Sequence, residues 1–124
     1  MTIPPAGTPV GFEIPARDVA RGSTFYNAIF NWTFAPSILG FPADKLLTFM
    51  VPGGIFPIGG ALRRVDEIPT TQGALKLYLY VEDIVAALEH GGKKVSDVIP
   101  KGDKGLFQYV EDSEGNSFAI YTYK

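Results

Sequence analysis

The chain reads as an α+β protein made of two tandem βαβββ modules, and three observations predict this. Lys76-Leu77-Tyr78-Leu79-Tyr80-Val81 alternates long polar or aromatic residues with aliphatic ones, the two-residue period of a strand with two unlike faces. One face is expected to meet helices and the other a cavity. Asp83 then stands where a helix N-cap belongs, ahead of Ile84, Val85, Ala86, Ala87 and Leu88. The same grammar occurs 65 positions earlier, where Phe12-Glu13-Ile14-Pro15-Ala16 precedes Asp18 and Val19, the counterparts of Asp83 and Ile84. That correspondence predicts a duplicated unit of roughly sixty residues.

Within the first unit, Val10 to Ala16 is the opening strand, with Val10, Phe12 and Ile14 on one face and Gly11, Glu13 and Pro15 on the other. Pro15 has no amide to donate and belongs near a strand end. From Asp18 the chain turns helical: Val19, Phe25, Tyr26, Ile29 and Phe30 form an apolar stripe of the kind that packs on a sheet, and Asn31 suits a left-handed C-terminal position. Trp32 to Ala35, Lys45 to Val51 and Ile58 to Arg63 complete the unit as strands, the last weakened by Gly59 and Gly60. Asp66 to Gly73 connects the units, which places module one at about 10–65 and module two at about 74–124 of a single domain spanning 1–124.

In the second unit the strand at Lys76 is followed by a helix from Asp83 to His90, which Gly91-Gly92 ends. Lys93 to Ile99 reads as a strand and Lys101 to Gly105 as a polar loop. Leu106 to Val110 and Ser117 to Tyr123 are the last two strands, joined by the turn residues Asp112-Ser113-Glu114-Gly115-Asn116. The order is again strand, helix, strand, strand, strand.

Composition narrows the function classes. At 124 residues, 46% hydrophobic and 19% charged, the chain has enough apolar surface for a core without staples. A net charge of -2 with scattered basic residues gives no nucleic-acid footprint. There is no cysteine, which rules out a disulfide framework, a thiolate nucleophile and a zinc-thiolate site. The N-terminal stretch lacks the basic start and apolar run of a signal peptide and nothing is long enough to span a bilayer, so a cytoplasmic protein with no membrane partner is expected.

Several motifs together resemble the vicinal oxygen chelate superfamily, the glyoxalase, bleomycin-resistance and extradiol dioxygenase group. They are Phe12-Glu13-Ile14-Pro15-Ala16-Arg17-Asp18, Phe25-Tyr26 ahead of Ile29-Phe30-Asn31-Trp32, Tyr80-Val81-Glu82-Asp83-Ile84 and Gly91-Gly92-Lys93-Lys94-Val95. The closing Val110-Glu111-Asp112-Ser113-Glu114-Gly115-Asn116 is similar to that group's Asp-Pro-Glu-Gly-Asn turn, with Ser113 in place of proline. The resemblance implies a curved mixed sheet around a cupped cavity, commonly in a homodimer, and metal ligands on the first and last strand of each module. By position those places fall near Gly11, near Gly59 or Gly60, on Lys76 and on Ala119, none of which offers a donor to a divalent cation. No metal or other cofactor is therefore expected.

Alternation instead lines the cup with Glu13, Met50, Lys76, Tyr78, Tyr80, Tyr109 and Tyr121, with Glu13 and Lys76 either pairing in place of the metal centre or reaching to water. His90, the single histidine, suits a surface position in the last helical turn. Asp18 and Asp83 are expected as caps, and Glu111, Asp112 and Glu114 as turn residues. The leading expectation is a metal-free cup that binds a small molecule between tyrosine faces. A lyase, isomerase or dioxygenase-type enzyme, with Glu13 as base and Lys76 or a tyrosine as electrophile, is the alternative. A structural or regulatory interaction protein whose aromatics fill its own cavity is the third.

Overall fold

A computed structural model describes residues 4–54, 58–69, 76–84 and 88–124. Module one runs β1 (Gly11–Ala16), α1 (Val19–Phe30), β2 (Thr33–Pro36), β3 (Leu46–Val51) and β4 (Ile58–Arg64). Module two contributes β5 (Tyr78–Tyr80), a short 3-10 turn at Leu88–His90, then β6 (Lys93–Lys94), β7 (Ile99–Lys101), β8 (Gly105–Glu111) and β9 (Ser117–Tyr123). The strands form two mixed sheets. Sheet one has the order β1-β4-β3-β2, and sheet two the order β5-β9-β8-β6 with β7 also on β8. In each, the first strand of the module runs parallel to its last: β1 beside β4 and β5 beside β9. The duplicated grammar is thus a duplicated topology.

Local chemistry explains α1. The Asp18 carboxylate accepts from the Arg21 amide at 3.0 Å, satisfying a donor that the first turn leaves free. At the other end Asn31 takes the left-handed conformation, φ 61°, and its amide returns to the Asn27 carbonyl. Gly22 is buried where α1 crosses Leu62, and a methyl group there would lie 3.3 Å from Leu62 Cδ1, so small size sets the helix-to-sheet distance. Phe25 and Tyr26 are buried, each removing apolar area worth about 2 kcal/mol from water.

One core serves both modules. Ile14, Trp32, Phe49 and Leu62 from module one join Val81, Val110, Phe118 and Ile120 from module two, with α1 between. Trp32 stacks on Phe49 with ring centres 4.5 Å apart, and Phe118 meets Tyr26 and Phe30 at 6.2 and 6.5 Å. The buried faces of both sheets therefore turn toward α1, and their opposite faces look outward. No helix among the described residues is long and apolar enough to cross a membrane.

Two local expectations change. The strand expected over Lys93 to Ile99 is split into β6 and β7, because the amides of Val95 and Ser96 both donate to the Tyr109 carbonyl, at 2.9 and 3.1 Å. Two residues opposite one make a bulge. Lys101 accordingly ends β7 instead of opening a loop. The helix expected over Asp83 to His90 is helical at Ile84 and 3-10 over Leu88–His90, with 85–87 outside the described residues. Gly91 follows at φ 100°, the left-handed stop that the glycine pair predicts.

Candidate functional site

Cross-strand register gathers the tyrosines. On the outward face of sheet two, Tyr78, Ala119 and Tyr109 form one row across β5, β9 and β8, and Tyr80, Tyr121 and Phe107 form the next. Tyr123 continues the β9 alternation and contacts Tyr121 and Tyr80 with ring centres 5.3 and 5.9 Å away. Of six tyrosines in the chain, five stand on this wall; the sixth, Tyr26, is in the core. Trp32, Phe25, Phe49 and Phe118 are buried in the interior, whereas the five wall tyrosines, each with a hydroxyl to solvate, face out.

The wall has internal order. The hydroxyls of Tyr78 and Tyr109 are 3.2 Å apart, an arch from neighbouring strands over Ala119, which is 0% exposed. That hydrogen bond is the largest cause of a raised Tyr78 pKa, so the phenol stays protonated at neutral pH. Lys76 Nζ lies 4.4 Å from the centre of the Tyr109 ring, and Lys101 Nζ 5.7 Å from that of Tyr121, both within cation–π range. The Tyr109 backbone is held on both sides by the bulge, since its amide also donates to Ser96 Oγ at 3.1 Å. Gly105 makes room for Tyr121: a methyl group on it would fall 2.1 Å from the phenol oxygen.

The other two candidates are on sheet one. Glu13 is exposed and its carboxylate is 3.9 Å from Arg63 Nε, while Lys76 rests on Tyr109. Within one chain the expected pairing of Glu13 with Lys76 is replaced by these two contacts. Met50 is 54% exposed and lies over Gly59, where a methyl group would be 2.7 Å from Met50 Sδ. Thus Tyr78, Tyr80, Tyr109, Tyr121 and Lys76 share one surface, and Glu13 and Met50 another. Lys101, Phe107 and Tyr123 are wall residues that the sequence reading left out. The i, i+2 spacing of Phe107 with Tyr109 and Tyr121 with Tyr123 carried the signal for two of them.

The positions that resemblance assigns to metal do not fit one. Gly11 is opposite Gly59 in sheet one and Ala119 opposite Tyr78 in sheet two, with Lys76 just ahead of β5. Among the described residues no group of three or more His, Cys, Asp or Glu side chains is placed to hold an ion. Gly59 is covered by the Met50 thioether and Ala119 by the tyrosine arch, so neighbouring side chains occupy the space in front of both positions.

The acidic turn between β8 and β9 is where the sequence places it, and it also makes contacts to module one. Glu114 is 2% exposed; it accepts from Arg21 Nε at 2.6 Å, Arg21 Nη2 at 2.9 Å and the Asp18 amide at 2.9 Å. Burial alone raises its pKa, but the Arg21 and Asp18 hydrogen bonds outweigh this and hold it below the ordinary value. Buried Asp112 accepts from the Tyr26 hydroxyl at 2.7 Å, and Asn116 Nδ2 donates to the Pro15 carbonyl at 2.8 Å. The turn of module two thereby clasps the strand end and helix of module one. A separate cleft of about 530 Å³ lies between the C-terminal end of α1 and residues 80–83, with His90 on its margin; Tyr80 is its one wall residue.

No protein-family model matches the chain. A glyoxylase-like domain-containing protein of Didymella fabae is 45% identical over 118 residues, covering 90% of this chain and 91% of that protein. Among solved structures, a glyoxalase/bleomycin resistance protein/dioxygenase family enzyme from Burkholderia phytofirmans superposes with a TM-score of 0.64 at 16% identity, over 92% of this chain and 97% of the other. A fosfomycin resistance protein from Listeria monocytogenes, solved with Mn(II) and a dihydroxypropylphosphonic acid, gives 0.69 at 15% identity over 96% and 93%. At those identities the solved structures speak to the fold.

Proposed function

This chain belongs to the glyoxalase, bleomycin-resistance and dioxygenase superfamily, and from that premise we propose that it is a metal-free small-molecule binding protein whose site is the tyrosine wall of sheet two. The observation that carries the reading is the sorting of aromatics, with five tyrosines and Phe107 on one outward face and the remaining rings of the core cluster inside. A face of this kind offers flat apolar contact and hydroxyls at little entropic cost, which is what small-molecule sites use.

The wall is open in a single chain: Tyr78, Tyr80 and Tyr123 are exposed, as are Glu13 and Met50 on the outward face of sheet one. We propose that a second copy closes it, its sheet one facing the tyrosine wall of the first, in a homodimer. Exposed aromatic surface of this extent favours association. In that arrangement Glu13 of one copy and Lys76 of the other would look into a shared cavity.

Native mass spectrometry of the purified chain, together with elemental analysis, tests both parts. Expected are a two-chain mass, less than stoichiometric metal and an organic adduct lost on denaturation. Stoichiometric zinc, nickel, iron or manganese would overturn the metal-free reading, and a monomer at micromolar concentration the dimer.

A further inference from the structure

We infer that the ligand of the tyrosine wall is an anion, a planar aromatic carboxylate whose acid group is taken by Lys76 and the Tyr78–Tyr109 hydroxyl pair. The inference rests on the reading of the wall as a small-molecule site and adds the sign of the ligand's charge. Lys76 and Lys101 are the cations on the wall, and among the described residues neither makes an ion pair with a carboxylate. All thirteen acidic residues of the sequence lie within the described segments. Each ammonium rests against an aromatic ring, a contact that leaves its hydrogen-bond donors available to an incoming oxyanion.

The arch supplies the second half of the recognition. Two phenols joined by one hydrogen bond use one of their two protons, which leaves one hydroxyl proton to donate. With Tyr78 held protonated, an acceptor is better served here than a donor. An ammonium beside a phenol donor is a charge-assisted pair for a carboxylate oxygen, roughly twice as strong as a neutral contact. The rings of Tyr80, Tyr121 and Tyr123 then extend away from the arch as a surface for an aromatic body. A cationic ligand meets the opposite situation at the rings, where the two lysines stand; the carboxylate on this face, Glu111, lies one row beyond the arch, opposite Lys93.

Calorimetric titration of the full chain with 2-naphthoate and with the neutral isostere 2-naphthamide tests the charge separately from the wall. Naphthoate is expected to bind at least about tenfold more tightly, one charge-assisted contact's worth. Lys76→Met should reduce that preference to near unity by weakening naphthoate far more than naphthamide, and Tyr109→Phe should reduce it in part. Circular dichroism of each variant confirms folding. Equal binding of the two probes, or a preference that survives Lys76→Met, would overturn the anion assignment while leaving the wall as a site. Binding of neither probe, with sedimentation showing a dimer, would mean that a second copy occupies the wall and would overturn both.

Discussion

On the outward face of sheet one, β1 and β4 present Gly11, Glu13, Gly59, Ala61 and Arg63; on the corresponding strands of sheet two, β5 and β9 present Tyr78, Tyr80, Ala119, Tyr121 and Tyr123. The backbone arrangement is the same, parallel first and last strands with the other strands antiparallel. The side chains are not. Sheet one has small residues that bring strands close together and an exposed ion pair worth little in water. Sheet two has rings in register with lysines over them. The same strand arrangement thus carries two unlike outward faces, and the ring surface proposed as a ligand site is on sheet two.

Substitutions of glycine separate the two sheets most sharply. A methyl group on Gly60 in sheet one would meet the Phe12 carbonyl oxygen at 1.9 Å, a backbone atom that cannot swing aside. Gly60→Ala is expected to cost about 3 kcal/mol or more in urea unfolding, from overpacking against the β1 backbone. Gly105→Ala in sheet two meets chiefly the phenol end of Tyr121, with the Lys101 carbonyl oxygen farther off at 3.1 Å. It is expected to cost about 1 kcal/mol and to appear mainly as a changed tyrosine emission and weaker naphthoate binding, because the displaced ring belongs to the wall.

Between those extremes lies the clasp that joins the modules. Glu114→Ala strips three hydrogen bonds from Arg21 and the Asp18 amide, and about 2 kcal/mol of unfolding free energy should go with them. Its pH dependence has a definite sign. Because the folded carboxyl titrates below its ordinary 4.5, its contribution is fully present above that pH and is lost as pH falls through the lower folded value. Burial, then the Asp112 charge, raises the Tyr26 phenol well above its ordinary 10.0, so its contribution holds below pH 10 and is lost as pH rises further. Thermal melts across pH should show a plateau between these limits, and Glu114→Gln should soften the acid limb alone. The smallest effect is expected from Glu13→Gln, within about 0.5 kcal/mol in thermal melts, because its pair with Arg63 is exposed.

What the sequence made legible follows from how local the cause was. Asp18 as cap, Asn31 as left-handed stop, the strand at Ser117 and the tight turn at Asp112 each depend on residues a few positions apart, and the structure has them all. The split of the strand at Lys93 depended on where β8 offers its carbonyls, which spacing along one strand does not reveal. The turn position of Glu114 was legible, but its burial was not, for the same reason: the guanidinium that covers it comes from Arg21, 93 positions away. Alternation placed four tyrosines by face, but a pairing of Glu13 with Lys76 needed the relative position of two sheets, and that is set by the core around α1.

A titration of the chain with 2-naphthoate, run first in EDTA and then with added manganese, nickel or zinc, tests most directly whether the tyrosine wall binds without an ion. The expected result is one affinity under all four conditions, reduced by Lys76→Met in each. Binding that appears only when a metal is supplied, and that persists in Lys76→Met, would contradict it.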